Sequence, residues 1–112
     1  MSGPDYPATP DGRYFVAKGR LWRRTDPGLD EAARQQAVNA LMQARRAVGQ
    51  ATTQAETRTA RDAVDTAKRR LGERGPVWWD DAAPDQGGRH PKNTSYAAWW
   101  AALDPAVQDR GL

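Results

Sequence analysis

Two stretches of this chain carry small or apolar residues at alternating steps of three and four, and this spacing restricts the fold more than any other feature. The positions are Ala37, Leu41, Ala44 and Val48 in the first stretch, and Thr57, Ala60, Val64, Ala67 and Leu71 in the second. Such spacing places the residues on one stripe of a helix, the seam of a helical pair. The sequence predicts helices over residues 30–48 and 54–71. The short polar connection between them favours an antiparallel hairpin.

The ends of both helices carry capping signals. Asp30 is a good N-cap for the first helix, and Thr53 with Glu56 has the spacing of a capping box for the second. Gly72, directly after the second stripe, is a natural left-handed C-cap. These signals fix the hairpin between residues 30 and 72.

The best strand candidate lies before the hairpin, over residues 13–24, where Tyr, Phe, Val, Leu and Trp are concentrated. One continuous strand is favoured. The alternative is a tight β-hairpin turning at Lys18 and Gly19, but lysine is a poor residue for the positive φ of such a turn. A short strand over residues 77–79 is expected to pair with the first strand, with pairing to a second subunit as the alternative.

A C-terminal helix is predicted over residues 95–103, where Tyr96, Trp99, Trp100 and Leu103 form an apolar face. Residues 1–12 are predicted to be a flexible lead, and residues 104–112 a tail. The predicted fold is mainly α with a small β element. Its order is strand, antiparallel helical hairpin, short strand and C-terminal helix, within one domain over residues 13–103.

Composition excludes several classes of protein. The 112 residues suit one small domain, and the absence of cysteine excludes disulfides, thiol nucleophiles and thiolate metal sites. No apolar run approaches a membrane span, and the N-terminus lacks the pattern of a signal peptide. We therefore expect a cytoplasmic protein. The formal net charge of +3 is modest support for an acidic partner.

Four blocks, KGRLWRRTDPGL, ALMQARRAV, AKRRLGERGPVWWDD and RHPKNTSYAAWW, occur in this order over nearly the whole chain. In this order they resemble a set of small, uncharacterised bacterial proteins. Some of those proteins carry an automated label that links them to Tol-type biopolymer transport. Nothing in this sequence looks like a membrane anchor or an envelope address, so we set the label aside. The resemblance implies a genuine small domain and supplies no catalytic residues.

The first candidate site is a basic and aromatic stripe. On a continuous strand Lys18, Arg20, Trp22 and Arg24 share one face. Cations bind phosphates and an indole stacks on a base, as in single-strand binders. The alternative is a solvated sheet face with Trp22 partly covered.

A second candidate combines Asp80, Asp81, Asp85 and His90 in a loop rich in Pro and Gly. Carboxylates and an imidazole can hold a metal or act as acid and base. Their spacing matches no metal motif, so turn-forming aspartates are favoured. For His90 we expect a hydrogen bond to a backbone carbonyl.

Two tryptophan pairs and one helical surface complete the candidates. Trp78, Trp79, Trp99 and Trp100 fill a core poor in large side chains or anchor a partner protein, and core packing is favoured. The outer face of the helical hairpin carries arginines that form either an oligomer surface or a solvated one. They are Arg34, Arg45, Arg58 and Arg61.

Taken together, these patterns predict a non-enzymatic binding or assembly module without a cofactor. Its expected partner is another protein, which includes a second copy of the chain in a homodimer. Nucleic-acid binding through the basic strand is the alternative, and a metal-dependent enzyme at the Asp/His loop is the second alternative.

Overall fold

The computed structural model describes residues 5–112, in which the chain forms two compact units. One unit is Thr25–Trp78; the other joins the described chain up to Arg24 with Trp79–Leu112. The elements are β1 (Tyr14–Ala17), β2 (Arg20–Arg23), α1 (Glu31–Gln50), α2 (Gln54–Arg70), α3 (Ala97–Ala101) and α4 (Pro105–Arg110). The predicted fold class, mainly α with a small β element, is confirmed. The single domain predicted over residues 13–103 stays a prediction, since compactness alone does not decide whether a unit folds independently.

The helical hairpin forms as the stripe predicts. Its core contains Ala37 and Leu41 from α1, and Ala67 and Leu71 at the end of α2, all buried. Leu29, Val38, Ala40 and Val64 pack against this core. Because most seam residues are small, Leu41 and Leu71 supply much of the buried apolar area between the helices.

Both helix starts and the end of α2 follow the capping signals. The Asp30 carboxylate accepts from the backbone N–H groups of residues 32 and 33. Thr53 and Glu56 form the complete capping box. Gly72 adopts φ +78°, its N–H donates to Arg69 O, and the next N–H, of Glu73, donates to Lys68 O. This pair of bonds is a Schellman motif, which turns the chain sharply after α2.

The single strand predicted over residues 13–24 is wrong, because the chain turns back at Lys18 and Gly19. β1 and β2 pair antiparallel, with Phe15 opposite Trp22. Lys18 has φ 54° and Gly19 φ 72°, the positive pair that a two-residue type I′ turn requires. Lys18 therefore adopts a positive φ although lysine disfavours it, and the tight β-hairpin, the alternative to one continuous strand, is what forms.

Neighbouring segments extend this two-stranded sheet on both edges. On the β1 edge, Val16 N donates to Pro7 O and Thr9 N to Tyr14 O, with an isolated bridge between Ala8 and Phe15. On the β2 edge, Leu21 N donates to Arg89 O and Gly88 N to Leu21 O. The flexible lead predicted over residues 1–12 is thus wrong for residues 7–9, while residues 1–4 lie outside the described part of the chain.

The C-terminal half departs from the prediction at three places. Residues 77–79 form no strand. The helix predicted over residues 95–103 is shorter, as α3, and a 3-10 turn at Pro91–Asn93 precedes it. The predicted tail contains α4, whose N-cap is Asp104; after it, Gly111 O accepts from Gly19 N at the β-hairpin turn. Among the described residues, no helix has the length and apolar character to cross a membrane.

Candidate functional site

A groove runs along one side of the helical hairpin, and we call it the hairpin groove. Its lining consists of Arg45 and Val48 from α1, Arg61 and Val64 from α2, and Arg74, and its volume is about 380 Å³. The two valines are half-buried, whereas the three arginines are exposed. The groove therefore combines a small apolar surface with guanidinium groups from three parts of the unit.

Helix geometry accounts for four of the five lining residues. Arginine and valine are three residues apart in each helix, so each guanidinium lies one turn from an apolar neighbour on the same side. Arg74 belongs to neither helix, and the turn after α2 positions it at the groove. Its Nη1 donates to Asp65 Oδ1 at 3.2 Å, while Arg69 Nε donates to Asp65 Oδ2 at 2.8 Å.

The charged residues that line the hairpin groove are all cationic. Burial, reinforced by the charges of Arg74 and Arg45, lowers the pKa of the half-buried Lys68, against a smaller opposing effect of Glu73. Hydrogen bonds from Arg69 and Arg74 lower the pKa of Asp65, so this carboxylate is already shared by two cations. Within residues 5–112, neither Arg45 nor Arg61 forms an ion pair. An anionic group would relieve the repulsion among these cations.

The basic and aromatic stripe occupies one side of the β-hairpin. Arg20 and Trp22 alternate along the exposed side of β2, and Arg24 follows two residues later; Lys18 lies in the turn. The Trp22 side chain is 38% exposed, and its Nε1 donates to Ala17 O at 2.8 Å. Arg20, Trp22 and Arg24 thus share one side, although on a β-hairpin and not on one long strand, and Lys18 lies at the end of that hairpin.

The side chains on the opposite side of the β-hairpin pack in a cluster of polar and aromatic residues within the same unit. The Arg23 side chain is buried, and its Nη2 donates to Asp85 Oδ2 at 2.8 Å. Arg13 pairs with Asp81. The indole of buried Trp79 lies 4.8 Å from the Arg13 guanidinium carbon and 5.8 Å from that of Arg23. Two cation–π contacts therefore join the β-hairpin to the segment that begins at Trp79.

Two tyrosines complete this cluster. Tyr14 OH donates to Asp85 Oδ1 at 3.2 Å and accepts from Gln86 N at 2.8 Å. Tyr96 OH donates to Asp11 Oδ2 at 2.6 Å. Burial and the hydrogen bond to Asp11 raise the pKa of Tyr96 far above its usual range, and burial also raises the pKa of Tyr14. Both phenols are therefore held neutral as donors.

The four residues of the proposed Asp/His loop site do not converge. Asp81 forms an ion pair with Arg13, and Asp85 forms one with Arg23, while Asp80 is exposed. His90 caps the 3-10 turn, where its Nδ1 accepts from Lys92 N at 3.1 Å; the predicted bond to a carbonyl is wrong. Throughout residues 5–112, no group of three or more His, Asp or Glu residues is arranged to hold a metal ion.

The tryptophan pairs are mostly internal. Trp79 and Trp100 are buried, at 9% and 8% exposure, whereas Trp78 and Trp99 are half-buried. Trp79 Nε1 donates to Ala83 O, and the Trp100 ring meets His90 edge-on. This distribution agrees with one core member in each adjacent pair.

Sequence reasoning identified Arg45 and Arg61 on the helical surface but missed Arg74 and Lys68 as their neighbours. Arg74 lies past the periodic region, so only the Schellman motif and the Asp65 contact reveal its place. Arg34, grouped with these residues from the sequence, pairs with Glu31 instead, and Arg58 is not part of the lining.

Comparisons with known proteins leave the class of this protein open: no family model, curated protein or solved structure matches the chain. The likeness to small bacterial proteins in its four sequence blocks stays a resemblance.

Proposed function

We propose that this protein is a binding module that holds an acidic segment of a partner protein in the hairpin groove. The observation that carries the proposal is the convergence of Arg45, Arg61 and Arg74, with Lys68 beside them, around two half-buried valines. The planar guanidinium of an arginine pairs with a carboxylate through two parallel hydrogen bonds. The valines would cover an apolar side chain of the same segment.

The size of the groove supports a short segment as its occupant. A volume of about 380 Å³ lies at the lower end of ligand pockets, which span roughly 300–1,000 Å³. Exposed ion pairs are worth about 0.2–1 kcal/mol each. A few such pairs with one apolar contact of about 1.5–3 kcal/mol sum to roughly 2–6 kcal/mol, so the segment should bind weakly, with a dissociation constant of roughly 0.1 mM or higher at low salt.

Charge favours a foreign partner over a second copy of this chain at this surface. A symmetric dimer places the same patch of both copies in contact. Here it would bring the arginine-lined groove of one copy against that of the other, cation against cation. The homodimer expected from the sequence would therefore need another face.

Fluorescence anisotropy with a labelled ten-residue peptide of glutamates and two leucines tests the proposal. We compare Arg45→Glu with Arg46→Glu, which makes the same charge change on the adjacent residue, outside the groove. Arg45→Glu should weaken binding about fivefold or more, because it removes one ion pair and adds a repulsion, and Arg46→Glu about twofold or less. Equal losses in both variants would mean that net charge alone attracts the peptide and would refute the groove.

The cytoplasmic location expected from the sequence is part of the same proposal. An acidic partner protein in the cytoplasm would then be available to bind the module. Fractionation of the native cell, with antibody detection of the chain, tests this part.

A further inference from the structure

A second surface, which we call the outer sheet face, lies in the other unit and carries three aromatic rings. Phe15 of β1 lies opposite Trp22 of β2. Tyr6 stacks on Phe15, with ring centroids 5.6 Å apart and an interplanar angle of 20°. Because Ala8 bridges Phe15, the segment that carries Tyr6 runs beside β1. The rings therefore form a row across three neighbouring segments.

The direction of this row follows from strand alternation. Tyr14, Val16, Leu21 and Arg23 point to the other side, and all four are buried. Phe15 and Trp22 consequently face away from that packed side. The bond from Trp22 Nε1 to Ala17 O fixes the indole, so little side-chain freedom remains to be lost when a ligand binds.

Cations border the aromatic row. Arg20 and Arg24 lie two residues before and after Trp22, so they share its side of the chain, and Lys18 lies in the adjacent turn. All three are exposed. The spacing places one positive charge two residues before the indole and another two residues after it.

We infer that the outer sheet face binds single-stranded nucleic acid, with a base stacked on the exposed Trp22 of the aromatic row and phosphates held by Lys18, Arg20 and Arg24. Unpaired bases stack on aromatic rings whatever their identity, and basic side chains follow the phosphate backbone. Bases within a duplex are already stacked and cannot reach rings on a flat sheet. The surface therefore distinguishes single strands from duplexes more than it distinguishes sequences.

Binding of a fluorescein-labelled 12-nucleotide oligothymidylate to the full chain tests this inference, with a 12-base-pair duplex as the comparison. At 20 mM salt the single strand should bind more tightly than the duplex, and its affinity should fall as salt rises. Trp22→Leu should weaken binding about fivefold or more, the loss of one stacked base. Arg20→Ala should reduce the slope of log K against log salt by about 0.7, the value for one phosphate contact on a single strand.

The control variant is Arg46→Ala, which removes one exposed arginine from the helical unit and should leave the slope unchanged. Circular dichroism checks that Trp22→Leu is folded, and Arg20→Ala provides a test that does not depend on that variant. No binding at 20 mM salt, equal affinity for the duplex, or a slope unaffected by Arg20→Ala would each overturn the inference.

Discussion

Arg74 lies four residues beyond the last residue of α2, yet its Nη1 donates to Oδ1 of Asp65 at 3.2 Å. The chain reverses between them through the left-handed Gly72. The hairpin groove therefore depends on a turn as well as on the two helices. A change in that turn should alter both stability and binding.

Gly72→Ala tests this turn. An added Cβ would lie 2.9 Å from Asp26 Cβ and 3.1 Å from Trp78 Cδ1, on a residue with φ +78°. We expect a loss of about 1–3 kcal/mol in the free energy of unfolding, measured by urea denaturation, together with weaker binding of the acidic peptide. The matched control is Gly49→Ala in α1, where nothing lies within 4 Å of the new Cβ. It should be neutral or stabilising by up to about 1 kcal/mol, and equal losses in both variants would contradict the account.

The hairpin core should respond mainly to its few large side chains. Leu71 is 1% exposed in a seam otherwise rich in alanine, so Leu71→Ala should cost about 2–5 kcal/mol. Met42→Ala removes a side chain that is 50% exposed and should change stability by less than about 0.5 kcal/mol. Thermal and urea unfolding of both variants measure the difference. A Leu71→Ala protein as stable as the parent would show that this core does not hold the helices together.

Acid should destabilise the unit that contains the β-hairpin. Burial opposes the shift at Asp85, but the Gly87 amide and Arg23 together lower its pKa, and Arg13 lowers the pKa of Asp81. A carboxylate with a lowered pKa in the folded state stabilises the protein above its unfolded pKa of about 3.9. That stability is lost as the pH falls through the folded values.

Urea midpoints measured from pH 7 down to pH 2.5 test this dependence. They should be constant near neutrality and fall below about pH 4. Asp85→Asn should lower the midpoint at pH 7 and make the acid dependence shallower. A midpoint that stays flat to pH 2.5 in the parent protein would show that these pairs do not contribute.

The hairpin over residues 30–72 could be predicted from the sequence because its signals are local. Stripe, N-caps, capping box and C-terminal glycine all lie within the segment that they specify. The β-hairpin could not be predicted in this way. Its β2 edge is hydrogen-bonded to residues 88 and 89, which lie far along the chain, so these contacts left no local signal for a turn at Lys18.

The candidate sites, too, could be predicted where their signals are local and could not where they depend on residues distant in sequence. Alternation correctly placed Arg20, Trp22 and Arg24 on one side, since that period holds in each strand of a β-hairpin. The partners of Asp81 and Asp85 lie more than 60 residues away in sequence, so their pairing with Arg13 and Arg23 left no local signal. α4 was missed because its six residues carry too few apolar positions to show a period.

The turn at Lys18 provides a further prediction. Asparagine tolerates the left-handed region better than lysine, so Lys18→Asn should raise the free energy of unfolding by about 0.5–1 kcal/mol. Differential scanning calorimetry measures the shift in Tm. A lower Tm would mean that Lys18 makes a stabilising contact that outweighs its backbone strain.

The most direct test of the central claim, that the hairpin groove binds an acidic segment, is a two-dimensional NMR titration of the isotope-labelled chain with the glutamate and leucine peptide. We predict that the largest shift changes occur at the methyl groups of Val48 and Val64 and at the backbone amides of Arg45 and Arg61. Small changes spread evenly over the basic residues of both units, with the two valines unaffected, would contradict the account.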